Sequence, residues 1–167
     1  VLVRVGRDIK RPDVPVTPDF CEGLSADQWK EYPAMDYVLP GFLSNGTASI
    51  VPDTASACGG VVKMAGGTYQ WAVQTGKLPD GKYDIYLSTR CEAKQVQGNA
   101  FQGGAYGKKL GEKAKTVKTS ESIGKEYRYF KVADNVPLEK GVIIYCTPVG
   151  NKSVDHVFFD RFILVKK

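Results

Sequence analysis

The stretch that decides the fold is residues 68–93, TYQWAVQTGKLPDGKYDIYLSTRCEA. Its second half alternates strictly, which is typical of a strand with one buried face. One face would carry Tyr83, Ile85, Leu87, Thr89 and Cys91, and the other Asp84, Tyr86, Ser88, Arg90 and Glu92. The LPDG segment at residues 78–81 predicts a turn, because proline presets its own φ and glycine accepts a positive φ. We therefore expect two strands joined by a turn, without assuming that they pair with each other.

The first half of the stretch alternates in the same way, and the pattern places Trp71 in the core beside Tyr69 and Val73. Residues 1–6 alternate and are interpreted as an edge strand or as the tail of a preceding domain. Further short strands are expected at residues 33–43, 47–51, 61–64, 100–106, 108–119, 127–133, 142–148 and 154–165. Glycines inside the run at 100–106 indicate a bulge or a close approach by another group. One short helix is expected within residues 21–32, where Ser25 and Gln28 could form a capping box.

Many short strands with frequent turn signals predict an all-β protein, a two-layer antiparallel β-sandwich of the jelly-roll type. The last two strands are apolar on both faces, so we expect them in the middle of their sheets, under covering loops. Residues 1–20 contain a proline-rich run and are interpreted as an extended segment or linker. Residues 21–167 then form a single domain.

The composition excludes some partners and leaves others open. The net charge is +5, and many of the lysines lie in one stretch, KKLGEKAKTVK at residues 108–118. These lysines could bind an anionic polymer such as a uronic acid or sulfated glycan. The alternative, which we favour, is a solvated strand whose lysines block edge pairing. No run approaches the length of a membrane span, and no nucleic-acid motif is present, so neither a membrane span nor a nucleic-acid partner is expected.

The four cysteines are widely spaced and form no CxxC pair, which argues against a structural zinc site. Two disulfides are possible, and so are four buried free thiols, since cysteine packs as a small apolar residue. The sequence slightly favours free thiols.

The sequence offers little support for catalysis. The single histidine, His156, follows Asp155 directly, and neighbouring strand residues point to opposite faces, so Asp155 cannot readily orient His156. Hydrolase and nucleotide-binding motifs are absent, and no paired carboxylates can be identified. We therefore do not expect an enzyme.

Three segments carry a resemblance to a known family: W-x-V-Q followed by LPDGKYDIYLSTR at residues 71–90, GVIIY at 141–145 and FFDRFILV at 158–165. Together they resemble a carbohydrate-binding module of the galactose-binding-like jelly-roll type. The nearer likeness is to accessory modules of secreted bacterial glycan-degrading enzymes. The resemblance implies a poly- or oligosaccharide ligand, neighbouring domains in the same polypeptide, and an extracellular, periplasmic or cell-surface location.

Such modules often hold a structural calcium between an early acidic pair and a late aspartate. Here the early strand offers only Asp36, so the resemblance implies a calcium site formed by Asp36 and Asp160. The alternative is that Asp160 accepts hydrogen bonds from loop amides near the end of the sheet.

A sugar site needs an aromatic platform and a few polar groups that bond hydroxyls. Side chains expected on outer faces or loops are the candidates: Tyr86, Arg90, Asn99, Gln102, Tyr106, Tyr129, Asn151 and His156. Each of these residues could equally have a structural role. The predicted function is non-catalytic carbohydrate binding, and the alternative is a structural or protein-interaction sandwich without a sugar ligand.

Overall fold

The computed structural model describes residues 8–69 and 73–167. The strand expected at residues 1–6 and the core position expected for Trp71 lie outside these residues. The described strands are β1 (Trp29–Pro33), β2 (Ala48–Pro52), β3 (Gly60–Ala65), β4 (Val73–Gln74), β5 (Gly81–Ala93), β6 (Asn99–Gly107), β7 (Gly111–Lys118), β8 (Arg128–Leu138), β9 (Ile143–Pro148) and β10 (Val154–Lys166). Two short helices, α1 (Pro40–Ser44) and α2 (Thr119–Ser122), and 3₁₀ turns at Asp19–Cys21 and Ala34–Asp36 complete the described structure. None of these helices is long and apolar enough to cross a membrane.

The strands form two sheets, which confirms the predicted antiparallel β-sandwich. The large sheet has the order β2-β3-β10-β5-β8, and β1 also pairs with β10. The small sheet has the order β4-β9-β6-β7. All pairs within both sheets are antiparallel. The strand before the LPDG turn, β4, pairs with β9 in the small sheet, so the turn carries the chain from one layer to the other.

The core lies between the two sheets and follows the alternation seen in the sequence. Tyr83, Ile85, Leu87, Thr89 and Cys91 of β5 are all buried, as predicted. The ring of Phe101 from the small sheet meets aromatic rings of the large sheet edge-on, with centroid distances of 5.5 Å to Phe130 and 6.2 Å to Phe159. Such contacts between layers fix how the sheets stack.

The position of β10 explains why its sequence is apolar on both faces. It lies between β5 on one side and β1 and β3 on the other. Phe159 faces the core, and on the outer face Phe158 is covered by the guanidinium of Arg90, 3.8 Å from the ring centroid. Residues 16–20 and 55–57 pass over this outer face. For β10, the predicted mid-sheet position with a covering loop is therefore confirmed, and β9 likewise lies in mid-sheet.

Two expectations near the N-terminus are wrong. Residues 21–32 form no α-helix, although Ser25 and Gln28 make the contacts expected of a capping box, with the Ser25 amide 2.9 Å from Gln28 Oε1. Instead, residues from Trp29 onward pair with the end of β10 as β1, so tertiary pairing overrides the local helix signal. Residues 33–43 do not form the expected strand either, since Pro33 ends β1, a 3₁₀ turn follows at Ala34–Asp36, and α1 begins at Pro40.

The glycine-containing strand β6 allows a close backbone approach, one of the two explanations proposed from the sequence. A Cβ at Gly104 would lie 2.1 Å from the carbonyl oxygen of Lys113 on β7. Only glycine lets β7 come this close. Gly103 faces inward, where a Cβ would be 3.1 Å from Leu87 Cδ2.

All four cysteines are buried free thiols. Burial raises the pKa of each of them. These thiols are packing residues of the sandwich.

Candidate functional site

The structure distributes the residues predicted for ligand binding over three places. Four lie on the outer face of the large sheet or at its border: Tyr86, Arg90, Tyr129 and His156. Asn99 and Asn151 lie where the loops after β5 and β9 meet. Gln102 and Tyr106 lie on the outer face of the small sheet.

On the large sheet, the tyrosines are engaged by the chain itself. The ring of Phe20 stacks on Tyr86 at a centroid distance of 4.3 Å and meets Tyr129 edge-on at 5.1 Å. The hydroxyl of Tyr129 accepts hydrogen bonds from the buried guanidinium of Arg161, which also donates to the carbonyl oxygen of Val16 at 2.7 Å. The segment that was predicted to be extended therefore packs across this face of the sheet.

Arg90 is likewise held within the protein. Its guanidinium lies between the rings of Phe158 and Tyr127 and pairs with Asp53 at 3.3 Å. Burial acts to raise the pKa of Asp53, but hydrogen bonds from Tyr127 and Arg90 outweigh it and lower that pKa. This cluster ties the 53–59 loop to β5 and the start of β8.

His156, Asn99 and Asn151 have identifiable contacts of their own. His156 Nδ1 lies 3.6 Å from a carboxylate oxygen of Glu92 at the end of β5. The side-chain amide of Asn151 donates to the carbonyl oxygens of Gln97 and Asn99, at 2.7 and 2.8 Å. Asn151 therefore clamps the loop before β6 and contributes to folding whether or not it binds a ligand.

The carboxylates predicted to share a calcium ion have separate partners. Asp36 forms a bidentate pair with Arg11, at 2.7 and 2.8 Å. Asp160 is fully buried and accepts hydrogen bonds from the Ser88 hydroxyl at 2.9 Å and from the amides of Ala57 and Cys58. Burial raises the pKa of Asp160, against the lowering effects of Ser88, Arg161 and the two amides.

This donor set fits the alternative role for Asp160, in which it accepts hydrogen bonds from loop amides. No cluster of three or more acidic, histidine or cysteine ligands occurs among residues 8–69 and 73–167. Both oxygens of each carboxylate already accept hydrogen bonds within the protein, which favours the alternative role, and the predicted calcium site is left to a chelation experiment.

The outer face of the small sheet presents a different arrangement. Two of its tyrosines are well exposed, with 63% of Tyr69 and 45% of Tyr106 accessible to solvent. The register places Tyr106 opposite Ile143 of β9 and Glu112 of β7. Because paired residues share a face, the polar side chains of three strands converge here.

A chain of hydrogen bonds connects these side chains. The Tyr69 hydroxyl donates to Gln102 Oε1 at 3.2 Å, and Gln102 Nε2 donates to the Tyr145 hydroxyl at 3.1 Å. Tyr145 in turn donates to Glu112 Oε1 at 2.5 Å. We call Tyr69, Gln102, Tyr106, Glu112 and Tyr145 the small-sheet face.

The surroundings of Tyr145 keep its phenol protonated. Burial raises the pKa of Tyr145, and the hydrogen bond to Glu112 raises it further, so the phenol stays protonated and continues to donate. Glu112 is exposed, and an ionised carboxylate has acceptor sites beyond the one that Tyr145 uses. The face therefore combines tyrosine rings with fixed amide and carboxylate groups, which can stack on a sugar ring and bond its hydroxyls.

Sequence reasoning identified Gln102 and Tyr106 but missed Tyr69, Glu112 and Tyr145. Tyr69 was assigned to a core-facing run, Glu112 lies in a strand interpreted only as polar, and Tyr145 lies in an apolar strand. The alternation of β6 shows that Gln102 and Tyr106 share a face, but only the strand register brings the other three beside them.

Comparisons with solved structures agree with the fold. A family 61 carbohydrate-binding module in complex with β-1,4-galactotriose aligns with a TM-score of 0.53 and 17% identity, over 83% of this chain and 88% of that one. A family 35 carbohydrate-binding module from Clostridium thermocellum aligns with a TM-score of 0.52 and 16% identity, over 81% of this chain and 98% of that one. The insecticidal crystal protein Cry7Ca1 of Bacillus thuringiensis aligns with a TM-score of 0.54 and 12% identity, over 86% of this chain and 23% of that one.

At these identities the similarity concerns the fold alone. The chain has the β-sandwich fold of carbohydrate-binding modules, which confirms the structural class implied by the sequence resemblance. No protein-family model matches this sequence, and no curated protein does. The fold can also serve other proteins, as the crystal protein shows, so the function has to be argued from the site.

Proposed function

We propose that this chain is a non-catalytic carbohydrate-binding module whose ligand lies on the small-sheet face. The observation that carries the proposal is the pair of exposed tyrosines, Tyr69 and Tyr106, beside a hydrogen-bonded amide and carboxylate. Tyrosine rings offer an apolar surface to the flat side of a pyranose, and fixed polar groups then select its hydroxyls.

The contrast between the two sheets supports the choice of face. On the large sheet, Tyr86 and Tyr129 lie against Phe20, and Arg90 pairs with Asp53. A sugar there would have to displace contacts that the chain already makes. On the small sheet, Tyr69 and Tyr106 remain 63% and 45% exposed, so a sugar can reach both rings without displacing the N-terminal segment.

The structural neighbours support sugar as the ligand class, since two of them are carbohydrate-binding modules and one was solved with β-1,4-galactotriose. We extend the proposal to the setting: the module lies in a larger secreted, bacterial glycan-processing protein and delivers a catalytic partner to its polysaccharide, outside the cytoplasm.

The expected energy of the tyrosine contacts follows from their exposure. If a sugar ring covered half of the exposed surface of Tyr69, which is 63% accessible, it would bury about 60 Å². At about 25 cal/mol per Å², this contributes about 1.5 kcal/mol, or roughly a tenfold change in Kd. Such an effect is readily measured.

The experiment is a binding screen by affinity electrophoresis and calorimetry, with β-1,4-galactan, mannan, xylan and acidic polysaccharides. Tyr69→Ala and Tyr106→Ala should each weaken the best interaction by about tenfold. Phe20→Ala, which removes an aromatic ring from the other sheet, serves as the matched control and should leave the Kd unchanged. Weakening by Phe20→Ala alone would contradict the proposed face, and release of reducing sugar by the wild-type protein would contradict a non-catalytic role.

A second candidate function rests on the N-terminal segment. Val14 and Val16 are 74% and 50% exposed, and Phe20 is 38% exposed, so an apolar strip runs along the outer side of the large sheet. Such a strip suits contact with a neighbouring domain. If no glycan binds, this interaction role becomes the better explanation of the fold.

A further inference from the structure

One end of the sandwich brings together three loops, two of which supply lysines that line a groove. They are residues 75–80 before β5, 108–110 between β6 and β7, and 139–142 between β8 and β9. A groove of about 580 Å³ lies among them. Its charged lining residues are Lys108, Lys109, Lys140, Asp80 and Glu139.

The three lysines of this groove are exposed, and none forms an ion pair with any residue in 8–69 or 73–167. By contrast, Lys131 and Lys167 elsewhere on the surface both pair with Asp84. The groove therefore has an excess of positive charge that the described part of the fold does not neutralise.

The location of the groove lysines sets them apart from those of the edge strand. Lys113 and Lys115 lie on β7, the edge of the small sheet, where charge prevents pairing with another sheet. Lys108 and Lys109 lie in the turn before that strand, and Lys140 lies in a loop, so edge protection does not explain them. The lysine stretch noted in the sequence thus has two parts with different explanations.

The groove adjoins the small-sheet face. Lys108 follows Tyr106 by two residues, and Lys140 precedes Ile143, the partner of Tyr106 on β9, by three. At about 3.3 Å per residue, the Cα atoms of Tyr106 and Lys108 are at most about 7 Å apart, on the order of the length of one sugar unit. A chain of sugars that stacks on Tyr106 and continues past the end of β6 would enter the groove.

We infer that the ligand is an acidic polysaccharide, and that Lys108, Lys109 and Lys140 bind its anionic groups while a neighbouring ring stacks on Tyr106. The inference rests on the proposed function of the small-sheet face and names its substrate class. A lysine ammonium binds carboxylate and sulfate as a compact charge, so a uronate and a sulfated sugar share the relevant chemistry. The carboxylates of Asp80 and Glu139 also line the groove and can accept hydrogen bonds from sugar hydroxyls.

The test compares two triple variants that remove the same charge. In the first, Lys108, Lys109 and Lys140 are replaced by Gln; in the second, Lys113, Lys115 and Lys118 are replaced by Gln. The probes are polygalacturonate, chondroitin sulfate, β-1,4-galactan and a random-sequence DNA duplex. We expect an acidic glycan to bind best, the groove variant to lose on the order of tenfold in affinity for it, and the edge variant to lose less than about twofold.

Preference for polygalacturonate or for chondroitin sulfate supports the inference and identifies the anion. Equal losses in both triple variants would overturn it, because the effect would then follow net charge. Tight binding of the DNA duplex, lost in the groove variant, would also overturn it in favour of a general polyanion site. Binding of a neutral glycan that needs Tyr69 and Tyr106 but not the groove lysines would overturn this inference and leave the proposed function intact. Absence of binding to every glycan would overturn both.

Discussion

Replacing Asp84 by Asn should measurably destabilise the fold, because a single buried carboxylate joins three parts of the chain. Its side chain, only 3% exposed, pairs with Lys131 Nζ at 2.8 Å and with Lys167 Nζ at 2.9 Å. It also accepts a hydrogen bond from the amide of Asn135 at 2.9 Å. Asn135 has a positive φ of 47°, so Asp84 holds an irregular point of β8 in place.

The expected loss can be worked out from these contacts. An Asn side chain can still accept from the Asn135 amide, but its amide nitrogen would face a lysine. Both lysines are partly exposed, at 41% for Lys131 and 48% for Lys167, so each pair contributes less than a buried one. The loss of both pairs and the poorly placed amide should together lower the free energy of unfolding by about 2 kcal/mol. For a 167-residue protein this corresponds to a decrease in Tm of about 6 °C.

The destabilisation caused by Asp84→Asn should depend on pH. Burial acts to raise the pKa of Asp84, but the bonds from Lys131, Asn135 and Lys167 outweigh it and hold this pKa well below its usual range. The stabilisation is therefore present above the unfolded-state pKa of about 4 and is lost as the pH falls through the folded-state value. The difference between wild type and Asp84→Asn should be largest at neutral pH and shrink in acid.

Urea unfolding of the two proteins at pH 7 and at steps below pH 4 measures this difference. Asp134→Asn is the matched control, because Asp134 contacts the same Lys131 at 3.4 Å but is 69% exposed. We expect the control to change the free energy of unfolding by less than about 0.5 kcal/mol. Equal stability of wild type and Asp84→Asn at pH 7, or a difference that does not shrink in acid, would refute the reasoning.

Three further predictions concern the close approach in β6, the thiols and the calcium site. Gly104→Ala should lower the free energy of unfolding by about 3 kcal/mol, because the added methyl would meet the carbonyl oxygen of Lys113; unchanged urea unfolding would contradict this. All four cysteines should react with a thiol reagent after denaturation and only slowly before it, whereas two or fewer reactive thiols would indicate a disulfide. EDTA should leave the Tm unchanged within about 1 °C, since Asp36 and Asp160 are occupied by protein donors, and a larger decrease that calcium reverses would favour the metal site.

The fold could be predicted largely because its strands carry a strong two-residue period or a continuous apolar run. The five residues assigned to the core side of β5 are all buried there, and β10 lies in mid-sheet as its composition indicated. The failures lie where local signals compete with long-range pairing. Trp29–Pro33 contains charges and a proline, and only its pairing with β10 makes it a strand.

The candidate site could be predicted less well, because it depends on register. The alternation of β6 places Gln102 and Tyr106 on one face, but no local pattern shows that Glu112 and Tyr145 come beside them. The same limit applies to Tyr86, which is correctly placed on an outer face. Phe20, which stacks on Tyr86, is distant in sequence. Nothing in the sequence indicates that the N-terminal segment packs over the outer face of the large sheet.

The most direct test of the central claim is to map the bound glycan on the labelled protein by amide chemical-shift changes. If the ligand lies on the small-sheet face, the polysaccharide with the highest affinity should shift amides of β6, β7 and the turn between them, around Tyr106 and Glu112, while β5 and β8 stay unchanged. Shifts confined to β5, β8 and residues 16–20 would contradict it, because the ligand would then lie on the sheet face that the N-terminal segment covers.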